Sequence, residues 1–329
     1  MAHLNAIKFP LCLGYTRHDT PLMLLKSFRE EFPEHSIWIK RDDLTGSELS
    51  GNKVRKLDFL VHDALHQKKT HLITCGGIQS NHCRATAFMA VKNGLKPILY
   101  LRGTPSEIPT GNLLLDQLVD SKIHYITPEA YSNVNDIMMD TARSVGNGYV
   151  IPEGGSNAIG AWGYIACFRE ILEQLPLYGL KPDAIWVATG SGGTHAGLLI
   201  GKYLFNSSID IVSVNVCDDA PFFKRKIKSI IDEFQQRNSL NLPILEKDIH
   251  IVDGFVGEGY ALISEAEIDL IRKMARNEGL VMDPVYTAKA FLGMLAQIRE
   301  HKINYTKNLF IHTGGIFSIF AHAAALRSV

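Results

Sequence analysis

The sequence predicts an α/β fold with open, mainly parallel, twisted sheets flanked by helices. Three observations carry this. Short, almost uninterrupted apolar runs recur along the chain, as expected of strands buried on both faces. Stretches of helical period separate them, and such alternation implies right-handed crossovers between parallel strands. Turns rich in Gly, Ser and Thr follow several runs, at the strand carboxyl ends where these sheets bind ligands.

In chain order, Ser36–Lys40 (SIWIK), His71–Cys75 (HLITC), Pro97–Leu101 (PILYL), Lys122–Ile126 (KIHYI) and Gly148–Ile151 (GYVI) read as strands. Ala184–Ala188 (AIWVA), Asp210–Val216 (DIVSVNV), Ile249–Val252 (IHIV) and Asn308–His312 (NLFIH) follow. Ala161, Ile165, Phe168, Leu172 and Leu175 keep the spacing of an amphipathic helix. A helix is expected to start near Asn81 and stop at Gly94. Another follows the capping box of Ser264 and Glu267 and stops at Gly279. Pro152–Asn157 (PEGGSN) is the clearest break between the α/β blocks, and Gly103–Gly111 reads as a surface loop.

The 329 residues suffice for two domains or one large one. Lys plus Arg number 34 and Asp plus Glu number 34, so the formal charge is zero, and no long basic run occurs. Nucleic acid and anionic membrane are therefore poor partners. No apolar run is long enough to span a bilayer, and Met1 to Arg17 lacks a signal-peptide core, so the cytoplasm is the expected location. The five cysteines are scattered without a C-x-x-C pair, which speaks against a disulfide framework or structural zinc; each reads as a small buried apolar residue.

Ser50-Gly51-Asn52-Lys53-Val54-Arg55-Lys56-Leu57 ends a turn and opens a helix. Asn52 is a candidate cap. Lys53 and Lys56, three apart, share a face. One can form an imine and the other hold an anion; equally, both can belong to a solvated basic face. Thr189–Leu198 (TGSGGTHAGL) is a glycine-rich turn between a strand and an apolar helix, suited to a phosphate. It is neither a P-loop, since no Gly-Lys-Ser/Thr closes it, nor a dinucleotide fingerprint, since His195 stands where the third glycine belongs. Gly76–His82 (GGIQSNH) is a second strand–loop–helix junction, whose N–H, hydroxyl and amide groups suit a carboxylate; Ser80 or Asn81 would also cap the helix. Gly257–Tyr260 is a tight turn presenting an aromatic ring, and Thr287 is a candidate cap. His312 and His195 read as core histidines, and no metal spacing is present. A lysine, a phosphate cradle, a carboxylate pocket and a presented tyrosine together suggest pyridoxal phosphate.

With Thr20-Pro21-Leu22, Ile39-Lys40-Arg41-Asp42-Asp43 and His312-Thr313-Gly314-Gly315 in order around these motifs, the chain resembles, over nearly its whole length, the D-cysteine desulfhydrase and 1-aminocyclopropane-1-carboxylate deaminase family of pyridoxal-phosphate enzymes. The resemblance implies a tryptophan-synthase-β-like fold with a small domain, 54–160, inserted in a large one, 1–53 and 161–329, and a homodimer. It implies Lys53 as the Schiff-base lysine and Lys56 beside the phosphate. Gly190, Ser191, Gly192, Gly193 and Thr194 would cradle that phosphate. Asn81 would face the cofactor's phenolic oxygen, with Ser80, Asn81 and His82 around the substrate carboxylate. Tyr260 and Tyr286 would lie against cofactor and substrate, and Thr287 and Thr313 near the pyridine nitrogen.

Two departures concern local loop geometry: Ser50 replaces a family glycine, and Ala261 stands where glycine usually follows Gly259-Tyr260. The deaminase branch resembles Asp-Pro-Val-Tyr-Glu and Leu-Gly-Gly. Here Asp283-Pro284-Val285-Tyr286-Thr287 and Thr313-Gly314-Gly315 follow the desulfhydrase pattern. The implied reaction is α,β-elimination of D-cysteine to hydrogen sulfide, pyruvate and ammonia, with the Lys53 amine as general base. The rivals are cleavage of the cyclopropane amino acid or of L-cysteate on the same scaffold, a nicotinamide oxidoreductase, which the failed fingerprint opposes, and a non-catalytic amino-acid-binding protein, which Lys53 opposes.

Overall fold

A computed structural model describes residues 8–259 and 261–327. The elements are β1 (Leu22–Leu24), β2 (Ser36–Lys40), α1 (Asn52–His66), β3 (His71–Gly77), α2 (Asn81–Lys92), β4 (Lys96–Arg102), α3 (Gly111–Leu118) and β5 (Lys122–Ile126). Then come α4 (Pro128–Tyr131), α5 (Val134–Ser144), β6 (Gly148–Val150), α6 (Ala158–Gln174), β7 (Ala184–Thr189), α7 (Gly193–Leu204), β8 (Asp210–Asn215) and α8 (Ala220–Asn238). The chain continues through β9 (His250–Val252), α9 (Glu265–Glu278), α10 (Thr287–Arg299), β10 (Lys307–Ile311) and α11 (Ala323–Arg327).

Two sheets result. One has the order β1-β2-β10-β7-β8-β9, parallel except for the antiparallel β1–β2 pair. The other, β5-β4-β3-β6, is parallel throughout. The fold is α/β, as predicted, and β7 shows why its strands read as apolar runs. Its Ile185 and Val187 pack with α6, α7 and α8 residues on one face, while Ala184, Trp186 and Ala188 pack with α9 and α10 residues on the other. The strand β1 was not expected. It has three residues at a sheet edge and no room for a period to show.

The expected helix signals operate at α9, where Ser264 and Glu267 form the capping box and Gly279 ends the helix at φ +65°. At α1 the expectation needs correcting. The cap is Gly51, at φ +92°, and Asn52 is the first helical residue. A Cβ on Gly51 would stand 2.8 Å from the carbonyl oxygen of Thr313. Only glycine fits that turn, which brings the Asn52 N–H to the same oxygen at 3.0 Å. At Pro152–Asn157 the chain passes from β6 to α6 through a tight turn, with Gly154 and Gly155 buried at φ +68° and +62°. The cysteines divide: Cys75, Cys83 and Cys167 are buried as expected, whereas Cys12 is exposed and Cys217 half-buried.

Behind α1 lies a buried charge network. Arg55 reaches Asp42 and Glu170 at 2.8 Å each, and Lys40 reaches Glu170 at 2.5 Å and Gln174 at 2.6 Å. Tyr164 adds its hydroxyl to Asp42 at 2.7 Å. Burial works to raise the Glu170 carboxyl, but His18, Arg55 and Lys40 outweigh it and hold it below the usual carboxylate range. Among the described residues no helix is long and apolar enough to cross a membrane, and no three or more His, Cys, Asp or Glu are grouped as a metal site.

Candidate active site

A cavity of about 880 Å³ opens at the carboxyl ends of β3 and β7, and both sheets contribute to its wall. The start of α1 places Asn52 and Lys53 there, and the β3–α2 junction places Gly76, Gly77, Ser80, Asn81 and His82. The β7–α7 junction supplies Gly190, Ser191, Gly192 and Thr194, and the far segments supply Tyr286 and Thr313. Residues expected to act together from opposite ends of the sequence thus share one wall.

Lys53 is half-buried, and among the described residues no hydrogen-bond acceptor takes its amine. Burial lowers it most. The charge of Glu153 opposes that shift and the charge of Lys226 adds to it, leaving it at about 8. A lysine so lowered is available as a neutral nucleophile or base near neutrality.

The glycine loop enters α7 through Gly192 at φ +83°. The first-turn N–H groups of a helix have no intrahelical acceptor. Here Ser156 Oγ takes the N–H of Gly193 at 3.2 Å and donates its own hydrogen to Ser191 Oγ at 2.9 Å. Asn52 Nδ2 donates to Thr194 Oγ1 at 3.1 Å, which ties the lysine-bearing helix to this loop. Gly190 faces Tyr286: a Cβ there would lie 3.0 Å from the ring's Cε1.

At the second junction Ser80 caps α2, its Oγ accepting the Cys83 N–H at 3.1 Å, so the capping reading and a place on the cavity wall hold together. Asn112 Nδ2 donates to Asn81 Oδ1 at 2.8 Å. That leaves the Asn81 amide donors to offer. His82 pairs through Nε2 with Thr74 Oγ1 at 2.8 Å, and burial first, then Lys53 and Lys56, hold it well below the usual histidine range.

Three expected contacts lie behind the wall. Lys56 is fully buried, and its Nζ donates to the carbonyl of Gly154 at 3.1 Å instead of entering the cavity. The N–H of Gly193 goes to Ser156 Oγ, which itself lines the cavity. Thr287 is buried as the first residue of α10 and not its cap. Its hydroxyl and N–H both go to Asp283 Oδ1, and the Asp283 carboxylate also accepts the N–H groups of Val285 and Tyr286. Tyr260 lies outside the described residues; Lys289 pins the turn before it by donating to the carbonyls of Val256 and Gly259 at 2.6 and 2.9 Å. Ala261 stands at φ +63°, so the departure from glycine puts a side chain in a left-handed position. Ser50 lies elsewhere, accepting from Arg84 through its hydroxyl and carbonyl.

Both suspected core histidines are core residues. Burial pushes His195 down to about 3, and its Nδ1 pairs with Ser213 Oγ. His312 accepts the Gly314 N–H at Nδ1, which leaves Nε2 to donate to the Val281 carbonyl.

The sequence reading missed one group of wall residues. Tyr131 donates to Glu153 Oε1 at 2.6 Å, the Arg102 guanidinium lies 4.8 Å from the Tyr131 ring centre, and Phe222 and Lys226 project from α8. The one available signal was a glutamate beside paired glycines at a strand end.

The family model for pyridoxal-phosphate dependent enzymes matches residues 14–314. The chain belongs to that family. It is 42% identical over 313 residues to a Thermotoga maritima protein provisionally named a 1-aminocyclopropane-1-carboxylate deaminase, covering 93% of this chain and 97% of the relative. It is 40% identical over 299 residues to the bifunctional D-cysteine desulfhydrase/1-aminocyclopropane-1-carboxylate deaminase, mitochondrial, of Arabidopsis thaliana, covering 86% and 73%. A solved structure described as the ACC deaminase homologue superposes with a TM-score of 0.88 at 35% identity, covering 99% and 98%.

The wall of this pyridoxal-phosphate dependent enzyme fits its cofactor. An amine lowered to about 8 meets the aldehyde's need for a neutral nucleophile. The loop at the N-terminus of α7 meets the phosphate's need for N–H and hydroxyl donors.

Proposed function

We propose that this enzyme carries out α,β-elimination on D-cysteine, giving hydrogen sulfide, pyruvate and ammonia. The observation that carries this reading is Thr313 on the cavity wall, with Thr287 and not a glutamate ending the 283–287 segment. The desulfhydrase pattern has threonine at 313, where the deaminase branch has leucine. The Arabidopsis relative's printed name includes D-cysteine desulfhydrase, which supports it further.

When bound, pyridoxal phosphate supplies an electron sink for the charge left at the substrate's α-carbon. In this reading the chain's own groups do the rest. Ser80 and Asn81, with the N–H groups at the start of α2, hold the substrate carboxylate. That grip turns the α-hydrogen toward Lys53, whose amine takes the proton as general base. The β-carbon–sulfur bond then breaks with its electron pair going to sulfur, and the thiolate leaves and is protonated. Water completes hydrolysis to pyruvate and ammonia. Tyr286, held against Gly190, limits the room above the glycine loop. A homodimer belongs to the same reading, and light scattering tests it against the 36.6 kDa chain mass.

The deciding assay offers the purified enzyme D- and L-cysteine, D- and L-cysteate and 1-aminocyclopropane-1-carboxylate, and measures sulfide, sulfite and ketobutyrate. Sulfide from D-cysteine should form fastest. Ketobutyrate at an equal or greater rate would reassign the chain to the deaminase reaction, which the names of two relatives favour.

A further inference from the structure

The side-chain amide of Asn81 can turn either its oxygen or its nitrogen to the cavity, and the two ends differ in polarity. Only the nitrogen donates to an anionic oxygen. The residue behind Asn81 decides which end is presented.

Asn112 is the second residue of α3 and is fully buried. Its Nδ2 donates to the backbone carbonyl of Gln79 at 2.9 Å and to Asn81 Oδ1 at 2.8 Å. A backbone carbonyl can only accept, so the Asn112 amide has one orientation. Turned over, it would set Oδ1 against the Gln79 oxygen and bury its N–H donors without an acceptor. As it stands, Asn112 Oδ1 is the atom without a partner among the described residues. Both Nδ2 hydrogens are spent, the second of them on Asn81 Oδ1. With its oxygen held from behind, Asn81 keeps its nitrogen for the cavity that it lines. One backbone carbonyl thus fixes two amides in series.

The turn that delivers Asn112 is itself specific. Gln79 Oε1 accepts the Asn112 N–H at 2.9 Å, and Gln79 Nε2 donates to the Thr110 carbonyl at 3.0 Å. Between these two contacts Gly111 stands at φ +60°, and a Cβ on it would lie 2.6 Å from both Gln79 Oε1 and the Phe317 carbonyl oxygen. Glycine lets α3 begin close enough for Asn112 to reach Asn81.

We propose that Asn112 is a positioning residue for the reaction, holding the Asn81 amide with its N–H donors toward the substrate carboxylate. The proposal rests on the reading above, in which Ser80 and Asn81 grip that carboxylate.

The test uses the cofactor-loaded enzyme with D- and L-alanine, which carry the carboxylate but no leaving group at the β-carbon. Affinity is read from the absorbance of the bound cofactor, and the isomer that binds more tightly serves as probe. Asn112→Asp keeps the shape of the side chain. Ionised or protonated, an aspartate lacks the second donor, so Asn81 turns its own nitrogen back to it. This should weaken alanine at least about tenfold, the scale of a hydrogen bond to a charged group. Asn81→Ala should also weaken alanine. In that background Asn112→Asp should add less than about twofold, because it acts only through Asn81. A further tenfold loss there would overturn the proposal as structural damage. A loss confined to the affinity of cofactor-free protein for pyridoxal phosphate would also overturn it, and would turn Asn81 to the cofactor. If Asn112→Asp does not fold, Asn112→Ala enters the same cycle under the same requirement, with a smaller loss expected. If Asn81→Ala weakens alanine and neither Asn112 variant does, this proposal alone fails. If Asn81→Ala leaves alanine binding unchanged, the grip assigned to Asn81 falls and the proposal with it.

Discussion

Thr287 donates its hydroxyl to Oδ1 of Asp283 at 2.7 Å, four residues back along the chain. The pair closes the turn before α10 and leaves Thr287 no reach into the cavity. Thr287→Val removes a buried hydrogen bond to a carboxylate and should cost roughly 1.5–3 kcal/mol of stability. It should leave the visible absorbance of the bound cofactor in place. Urea denaturation and an absorption spectrum check both, and a bleached spectrum with unchanged stability would return Thr287 to the cofactor.

Lys53 should be the residue that carries the cofactor. Borohydride reduction and peptide mapping should find the label on Lys53, and Lys53→Ala should abolish covalent attachment. Label on Lys56 would defeat the assignment.

The same lysine should set a pH profile for cofactor uptake. Its folded value is lowered to about 8 from 10.5, so the reactive neutral amine is lost as pH falls through 8 and present above it. Uptake by cofactor-free protein should rise with pH to half its maximum near 8. Glu153→Gln removes the charge that opposes the lowering and should move the midpoint down, because burial and the charge of Lys226 remain. A midpoint above the wild-type value in Glu153→Gln contradicts the argument.

A Cβ on Gly193 would stand 2.6 Å from Ser156 Oγ, the atom that accepts the Gly193 N–H and donates to Ser191 Oγ. Crowding of this kind typically costs roughly 1–3 kcal/mol. Gly193→Ala should therefore weaken pyridoxal phosphate about tenfold, measured by absorbance titration. Full retention of cofactor after extensive dialysis speaks for another role of the loop.

Ser80→Ala loses the α2 cap and should cost about 1 kcal/mol of stability. Loss of the substrate grip should also lower kcat/KM by up to about 100-fold, because the reacting atoms are no longer aligned. The cofactor spectrum should hardly change. A lost spectrum with retained substrate affinity places Ser80 on the cofactor instead.

The sheets were legible because apolar runs such as AIWVA leave little else for a strand buried on both faces to be. The strand–glycine–helix junctions were legible for a similar local reason. The burial of Lys56 was not legible, because helix spacing fixes the direction of a side chain and not what packs over it. Residue Gly163 of α6 comes so close to the Arg55 carbonyl that this flank of α1 is covered. Tyr131, Glu153 and Lys226 belong to no motif, and only folding brings α4, the 153–155 turn and α8 to one wall. The partner of Thr287, Asp283, lies within its own motif and takes its hydroxyl, which helix and cap signals do not show.

The charge network behind α1 limits how this sequence can diverge. Lys40 and Arg55 balance Asp42 and Glu170, all of them buried. Losing one member strands an uncompensated ion, a change that typically costs about 3–5 kcal/mol. Inherited change at these positions is therefore expected to be correlated, with exchanges arriving in matched pairs across 130 positions of chain between Lys40 and Glu170. Chains that descend from a common ancestor with this one should carry either all four partners or a jointly replaced apolar set, and seldom a mixture.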